Sequence, residues 1–137
     1  MTKKYITDLT YQIIGCAIEV HRSLGPGLLE SVYHKCLAYE LKSREIDFTS
    51  QTIVPVYYQG IEIDTELRCD FLIEGCIVVE LKSVEEIKPI FKAQLFTYMR
   101  LLNAPKGILI NFNCVNLFNQ GQKTYVNDLF SALPAGS

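Results

Sequence analysis

The stretch Arg68-Cys69-Asp70-Phe71-Leu72-Ile73-Glu74-Gly75-Cys76-Ile77-Val78-Val79-Glu80-Leu81-Lys82 constrains the fold more than any other. Ile77 to Leu81 is β-branched or aliphatic except for Glu80, the composition of a buried central strand. Burying an unpaired charge costs several kcal/mol or more, so Glu80 and Lys82 at the end of such a run need a reason. Side chains alternate along a strand, so these two share a face, about 6.6 Å apart along the chain. Asp70 lies on the preceding strand and reaches that face only if the numbers of paired residues sum to an even value. A three-residue loop with Gly75 left-handed gives that parity and pairs Leu72 with Cys76. Asp70 then stands opposite Val78, with Glu80 its diagonal neighbour at about 7–8 Å. Two carboxylates at that separation can share one divalent cation. The competing reading is a carboxylate–Lys82 ion pair buried at a sheet edge.

The rest of the chain sets limits on partners and compartment. At 137 residues with 49% apolar content, one domain over residues 1–137 with a sizeable core is expected. Thirteen basic and fifteen acidic residues give a net charge of −2, which does not favour a nucleic-acid binder but does not exclude one, because carboxylates of a metal site count in the total. No apolar run is long enough for a membrane span and no signal-peptide core is present, so no membrane partner is expected. Five cysteines without a Cys-x-x-Cys pair read as buried, reduced thiols of a cytoplasmic protein.

Thr7 or Asp8 is expected to cap a first helix running to about Arg22, after a loose Met1 to Tyr5, with Leu9, Ile13, Cys16, Ala17 and Val20 on its buried face. In this reading Glu19 is solvated or paired with Arg22, and His21 packs at the helix end. Gly25-Pro26-Gly27 breaks the helix. A second helix spans about Leu29 to Arg44 with Leu29, Val32, Tyr33, Cys36, Leu37 and Leu41 buried. Glu30 in its first turn is favoured by the helix dipole; the alternative is that it points over the sheet towards Asp70 and Glu80. A strand from about Phe48 to Tyr58, with Pro55 at an edge or bulge, turns at Gln59-Gly60 into Ile61 to Ile73 and so into an antiparallel meander. Arg68 shares Asp70's face and would neutralise the carboxylates or contact a phosphate. Pro89 opens a third helix to about Asn103, whose apolar stripe contains Gln94, an amide that needs a partner there. Gly107 to Phe112 is a buried strand set parallel to Ile77–Lys82 by a right-handed crossover. Val115–Phe118 and Lys123–Val126 are expected as a last ribbon, and Ala132 to Ser137 as frayed.

Asp70, a gap, then Glu80-x-Lys82 resembles the core of the PD-(D/E)xK nuclease superfamily. Cys69 stands where its name has proline. Gly27-Leu28-Leu29-Glu30-Ser31-Val32-Tyr33 resembles the naming motif of the GxxExxY protein family within it. Glu19 to Gly27 and Val54 to Gly60 also look like that family, so the likeness covers about 7–126. Gln94-x-x-x-Tyr98 is similar to a motif of RecB-like nucleases, where the glutamine borders the active site. The resemblance implies a restriction-endonuclease-like α/β (mixed α+β) fold, with a mixed sheet flanked by helices. It also implies a metal-dependent nuclease acting on DNA or RNA. Asp70, Glu80 and the Leu81 carbonyl would hold magnesium or manganese, Glu30 would assist, and Lys82 would act on water and phosphate. Tyr33 would offer a hydroxyl to position Glu30. Against this stand a catalytically silent module of the same fold, binding nucleic acid or protein, and an assembly subunit forming a homo-oligomer.

Overall fold

The computed structural model describes residues 1–137. The chain runs α1 (Lys3–Leu24), α2 (Glu30–Ser43), β1 (Phe48–Ile53), β2 (Val56–Tyr58), β3 (Ile61–Ile63), β4 (Arg68–Ile73), β5 (Ile77–Lys82), α3 (Pro89–Leu101), β6 (Lys106–Asn111), β7 (Gln122–Val126) and α4 (Asp128–Ser131). A five-stranded sheet of order β1-β4-β5-β6-β7 forms the centre, antiparallel except for the parallel β5–β6 pair that α3 crosses between. This is the expected mixed sheet flanked by helices. No helix is long and apolar enough to cross a membrane.

The helices cover the sheet on its two faces. α1 and α2 bury Ile13, Ala17, Tyr33 and Leu37 against Phe71, Ile73, Val79 and Ile110. α3 buries Leu95, Tyr98 and Met99 with Val78, Cys69 and Leu109. Each fully buried side chain of this size contributes about 1.5–3 kcal/mol. Close packing of α3 on β6 requires Gly107, where an added Cβ would lie 2.5 Å from Met99 Sδ and 3.0 Å from Leu95 Cγ.

Several sequence expectations are corrected. α1 begins at Lys3 because the Thr2 hydroxyl accepts from Tyr5 N–H, so residues 3–5 are helical rather than loose. Lys3 and Lys4 N–H donate to Pro134 and Ala135 carbonyls, tying down the tail expected to fray. On α2, Leu29 and Val32 are exposed, and Tyr33, Leu37 and Leu41 alone form the buried seam. Pro55 divides the expected Phe48–Tyr58 strand, and β2 and β3 form a separate two-stranded ribbon. Leu117 to Gly121 is a π-helical turn instead of part of a hairpin, and β7 pairs with β6. Glu19 and Arg22 pair at 2.8 Å, as the sequence suggests.

Candidate active site

The β4–β5 hairpin closes over Glu74, Gly75 and Cys76, with Glu74 and Gly75 both left-handed (φ 52° and 67°). Its parity is the expected even one, but Ile73 pairs with Ile77 and Leu72 with Val78. The three-residue loop sits one position later than expected, which slides the pairing by two residues and brings Asp70 level with Glu80. The ladder stops at Phe71–Val79. On the other side of β4, the otherwise constant β1 register omits the Gln51–Asp70 pair, and Gln51 has φ of 51°. The strands roll over at this point. Phe71 and Ile73 face α1 and α2, whereas Cys69, of the same parity, and Val54 belong to the α3 side. Asp70 sits at the pivot.

The pivot frees backbone donors that the carboxylates use. Asp70 N–H donates to Glu80 Oε2 at 2.7 Å, and Leu81 N–H donates to Asp70 Oδ2 at 2.7 Å. Glu80 is 6% exposed. Burial pushes its pKa up to about 8, the Asp70 charge and a hydrogen-bonding contact with the Asp70 carboxyl add to the rise, and the Asp70 N–H and Lys82 oppose it. Glu80 keeps step with Val78 and turns towards α3, where burial of Tyr98 and then the Glu80 charge raise the Tyr98 pKa. Asp70 does not share that face, contrary to expectation: the roll-over opens it on the other side, into a cleft of about 470 Å³ beneath α2. The carboxyl groups adjoin at the open end of the ladder.

Glu30 is exposed on the rim of that cleft with Asp70 and Leu81. Burial raises its pKa, Lys82 lowers it and Asp70 raises it. Its position depends on the glycine-rich loop. The Tyr33 hydroxyl donates to Gly25 O at 2.5 Å and accepts from Leu28 N–H at 3.2 Å, while the Ser83 hydroxyl donates to Leu28 O at 2.6 Å. Tyr33 therefore clasps the loop and does not bond Glu30 itself; its ring stacks on Phe112 with centroids 4.3 Å apart. Lys82 shares a side with Glu80, but its Nζ lies 4.4 Å from the Phe91 ring centroid. The ion pairs of the chain are Lys4–Asp8 and Arg22–Glu19, so a buried carboxylate–Lys82 pair is not what holds these groups.

Neither Gln94 nor Arg68 lines the cleft. Gln94 is half-buried on α3 and makes no hydrogen bond to a protein group, without being a buried unpaired amide. Arg68 is exposed and donates to Gln51 O at 3.4 Å, with no ion pair to Asp70 or Glu80. Three contributors escape sequence reading. Ser83 ties down the α2 entry. Asn111 is buried and holds the segment after Lys82 through Val84 N–H and O at 3.1 and 2.9 Å. His34 lines the Asp70 cleft. Histidine one turn after an acidic helix start was the available signal for the last; a lone serine or asparagine at or just past a strand end carries none.

No group of three or more His, Cys, Asp or Glu converges as a metal cage. The adjoining pair nevertheless fits a hard divalent cation. Both donors are oxygens, one is held partly neutral by burial and its neighbour's charge, and neither makes an ion pair. Magnesium commonly binds through one or two carboxylates and keeps several waters.

A sheet with a parallel crossover pair, helices on both faces and two carboxyls meeting beside a lysine at a strand end defines a nuclease-like α/β class. A sequence profile of the PD-(D/E)XK nuclease superfamily matches residues 7–124, and the chain belongs to that superfamily. No curated protein and no solved structure matches it.

Proposed function

We propose that this protein is a metal-dependent nuclease that hydrolyses phosphodiester bonds of DNA or RNA, with magnesium as the ion and manganese as a substitute. The observation that carries this reading is the adjoining Asp70–Glu80 pair, which makes no ion pair and whose Asp70 lines a polar cleft. The Gly27-x-x-Glu30-x-x-Tyr33 motif adds support and points to the GxxExxY family. Asp70 and Glu80 would hold the ion, with the Leu81 carbonyl as a further oxygen and Glu30 acting from the rim. When bound there, a divalent ion compensates phosphate charge and makes water more acidic. Glu80 must give up its proton to take part; its raised pKa, about 8, opposes that step at neutral pH, and rising pH favours it. Lys82 leaves the Phe91 face to orient the attacking water and to stabilise negative charge developing on the phosphate.

A silent module of the same fold that binds nucleic acid is favoured by one observation, the lack of a preformed three-donor cage. Calorimetric titration with magnesium and manganese, on wild type and Asp70→Ala, separates the two. It is run beside cleavage assays on single- and double-stranded DNA and RNA. Ion binding lost in Asp70→Ala together with cleavage supports the nuclease. A wild type that binds no ion and cuts nothing leaves the silent module.

A further inference from the structure

The wall of the cleft away from the carboxyl pair is polar where a helix packed on a sheet is normally apolar. Ser31, His34 and Lys35 reach it from the first two turns of α2, and Ser50 and Gln51 from β1. His34 is fixed twice. Its ring stacks on Phe71 with centroids 4.2 Å apart, and Nε2 contacts Ser50 Oγ at 2.5 Å. The bland reading is a satisfied histidine at the edge of the core, but donor arithmetic goes further. If Ser50 donates to Nε2, the imidazole carries its proton on Nδ1; if Nε2–H donates, the Ser50 hydroxyl proton is free. Either way the pair keeps a spare donor. Lys35 is exposed beside it, and the N-terminus of α2 has no side-chain cap. The cleft thus has a cation-seeking end at Asp70 and Glu30 and an anion-seeking end at His34, Ser50 and Lys35. A phosphodiester strand offers the match, with one phosphate beside a carboxylate-bound ion and the next reaching donors.

We infer that His34, Ser50 and Lys35 form a phosphate-contacting track for the DNA or RNA backbone next to the bond presented at Asp70 and Glu80. The track rests on the nucleic-acid reading above. It places the strand under α2 and not along α3, where Lys92 lies 5.1 Å from the Tyr125 ring centroid.

The test is anisotropy binding of labelled single-stranded DNA, duplex DNA and RNA, with and without magnesium, from about 50 to 200 mM salt. Lys35→Ala should weaken binding about three- to tenfold and reduce the slope of log affinity against log salt by about one. His34→Phe keeps a ring for Phe71 and should weaken binding similarly at an unchanged Tm. Lys92→Ala should bind like wild type. Should His34→Phe melt early, the exposed Lys35→Glu carries the test, with a larger loss expected. Wild-type affinity in both track variants, or an equal loss in Lys92→Ala, overturns the track. If these variants also cut normally, the nuclease reading stands without the track. Track-dependent binding without cleavage keeps the track and removes the nuclease reading. No binding to any of the three nucleic acids overturns both.

Discussion

At the residue scale, Lys82 and Asp70 should fail differently. Lys82 makes no ion pair, so Lys82→Ala removes its contact with Phe91, worth about 0.5–1 kcal/mol, and its through-space effect on Glu80 and Glu30. Its Tm should scarcely move and ion binding should persist, while cleavage falls by about 10²–10³ if Lys82 acts as a preorganised electrostatic group. Asp70→Ala should lose ion binding and cleavage together. Calorimetry, melts and single-turnover cleavage on the two variants check this. Tyr33→Phe keeps the stack on Phe112 but leaves Gly25 O and Leu28 N–H without their partner. A cost of about 1–2 kcal/mol by denaturant titration is expected, with activity falling through a looser Glu30. The sequence made Glu30, Asp70, Glu80 and Lys82 visible because charge in or beside an apolar strand is conspicuous. Tyr33 was legible as a buried packing residue, but the partner of its hydroxyl was not, because a phenol one turn from a carboxylate looks like its partner and only the folded loop shows the nearer backbone groups.

At the element scale, period-two and helical patterns were strong enough to find the three long helices, the β4–β5 hairpin and the parallel crossover. Register was harder. Leu72 opposite Cys76 and Leu72 opposite Val78 have the same parity and bury the same side chains, so hydrophobic pattern could not choose between them. The observed turn uses left-handed Glu74 as well as Gly75, and a glutamate does not announce that conformation. The roll-over at Gln51 and Asp70 was equally hidden, since it inserts no residue and leaves the register sum unchanged. Where packing is tight, the consequence is measurable. Gly107→Val should cost about 1–3 kcal/mol, because Leu95 and Met99 are both fully buried and must shift together. Denaturant unfolding checks it, and a stability equal to wild type would mean that α3 can lift from β6 freely.

At the scale of the whole molecule, Glu80 couples stability to pH. Its folded pKa of about 8 lies above its ordinary value of 4.5, so the folded chain holds this proton after the unfolded chain has released it. The stability it contributes is complete below about pH 4.5 and is lost as pH rises through about 8. Melting temperature should therefore fall across that window, and Glu80→Gln should flatten the fall. Magnesium should raise the wild-type Tm most at the alkaline end, where binding no longer has to displace a proton. The cysteines offer a time-resolved view of the same transition. Cys16, on the inner face of α1, and Cys76 are sealed in the core between the sheet and α1 and α2, and Cys69 under α3, while Cys36 and Cys114 are partly exposed. Burial raises all three sealed thiols, Cys69 to about 12 and Cys76 to about 11, so each reacts slowly until the layer above it lifts. Alkylation read peptide by peptide is thus a pair of stopwatches, one for each layer. A common rate for the sealed thiols, after correction for intrinsic reactivity, means that the layers detach in one event. Two rates mean that one face of the sheet is bared while the other still holds.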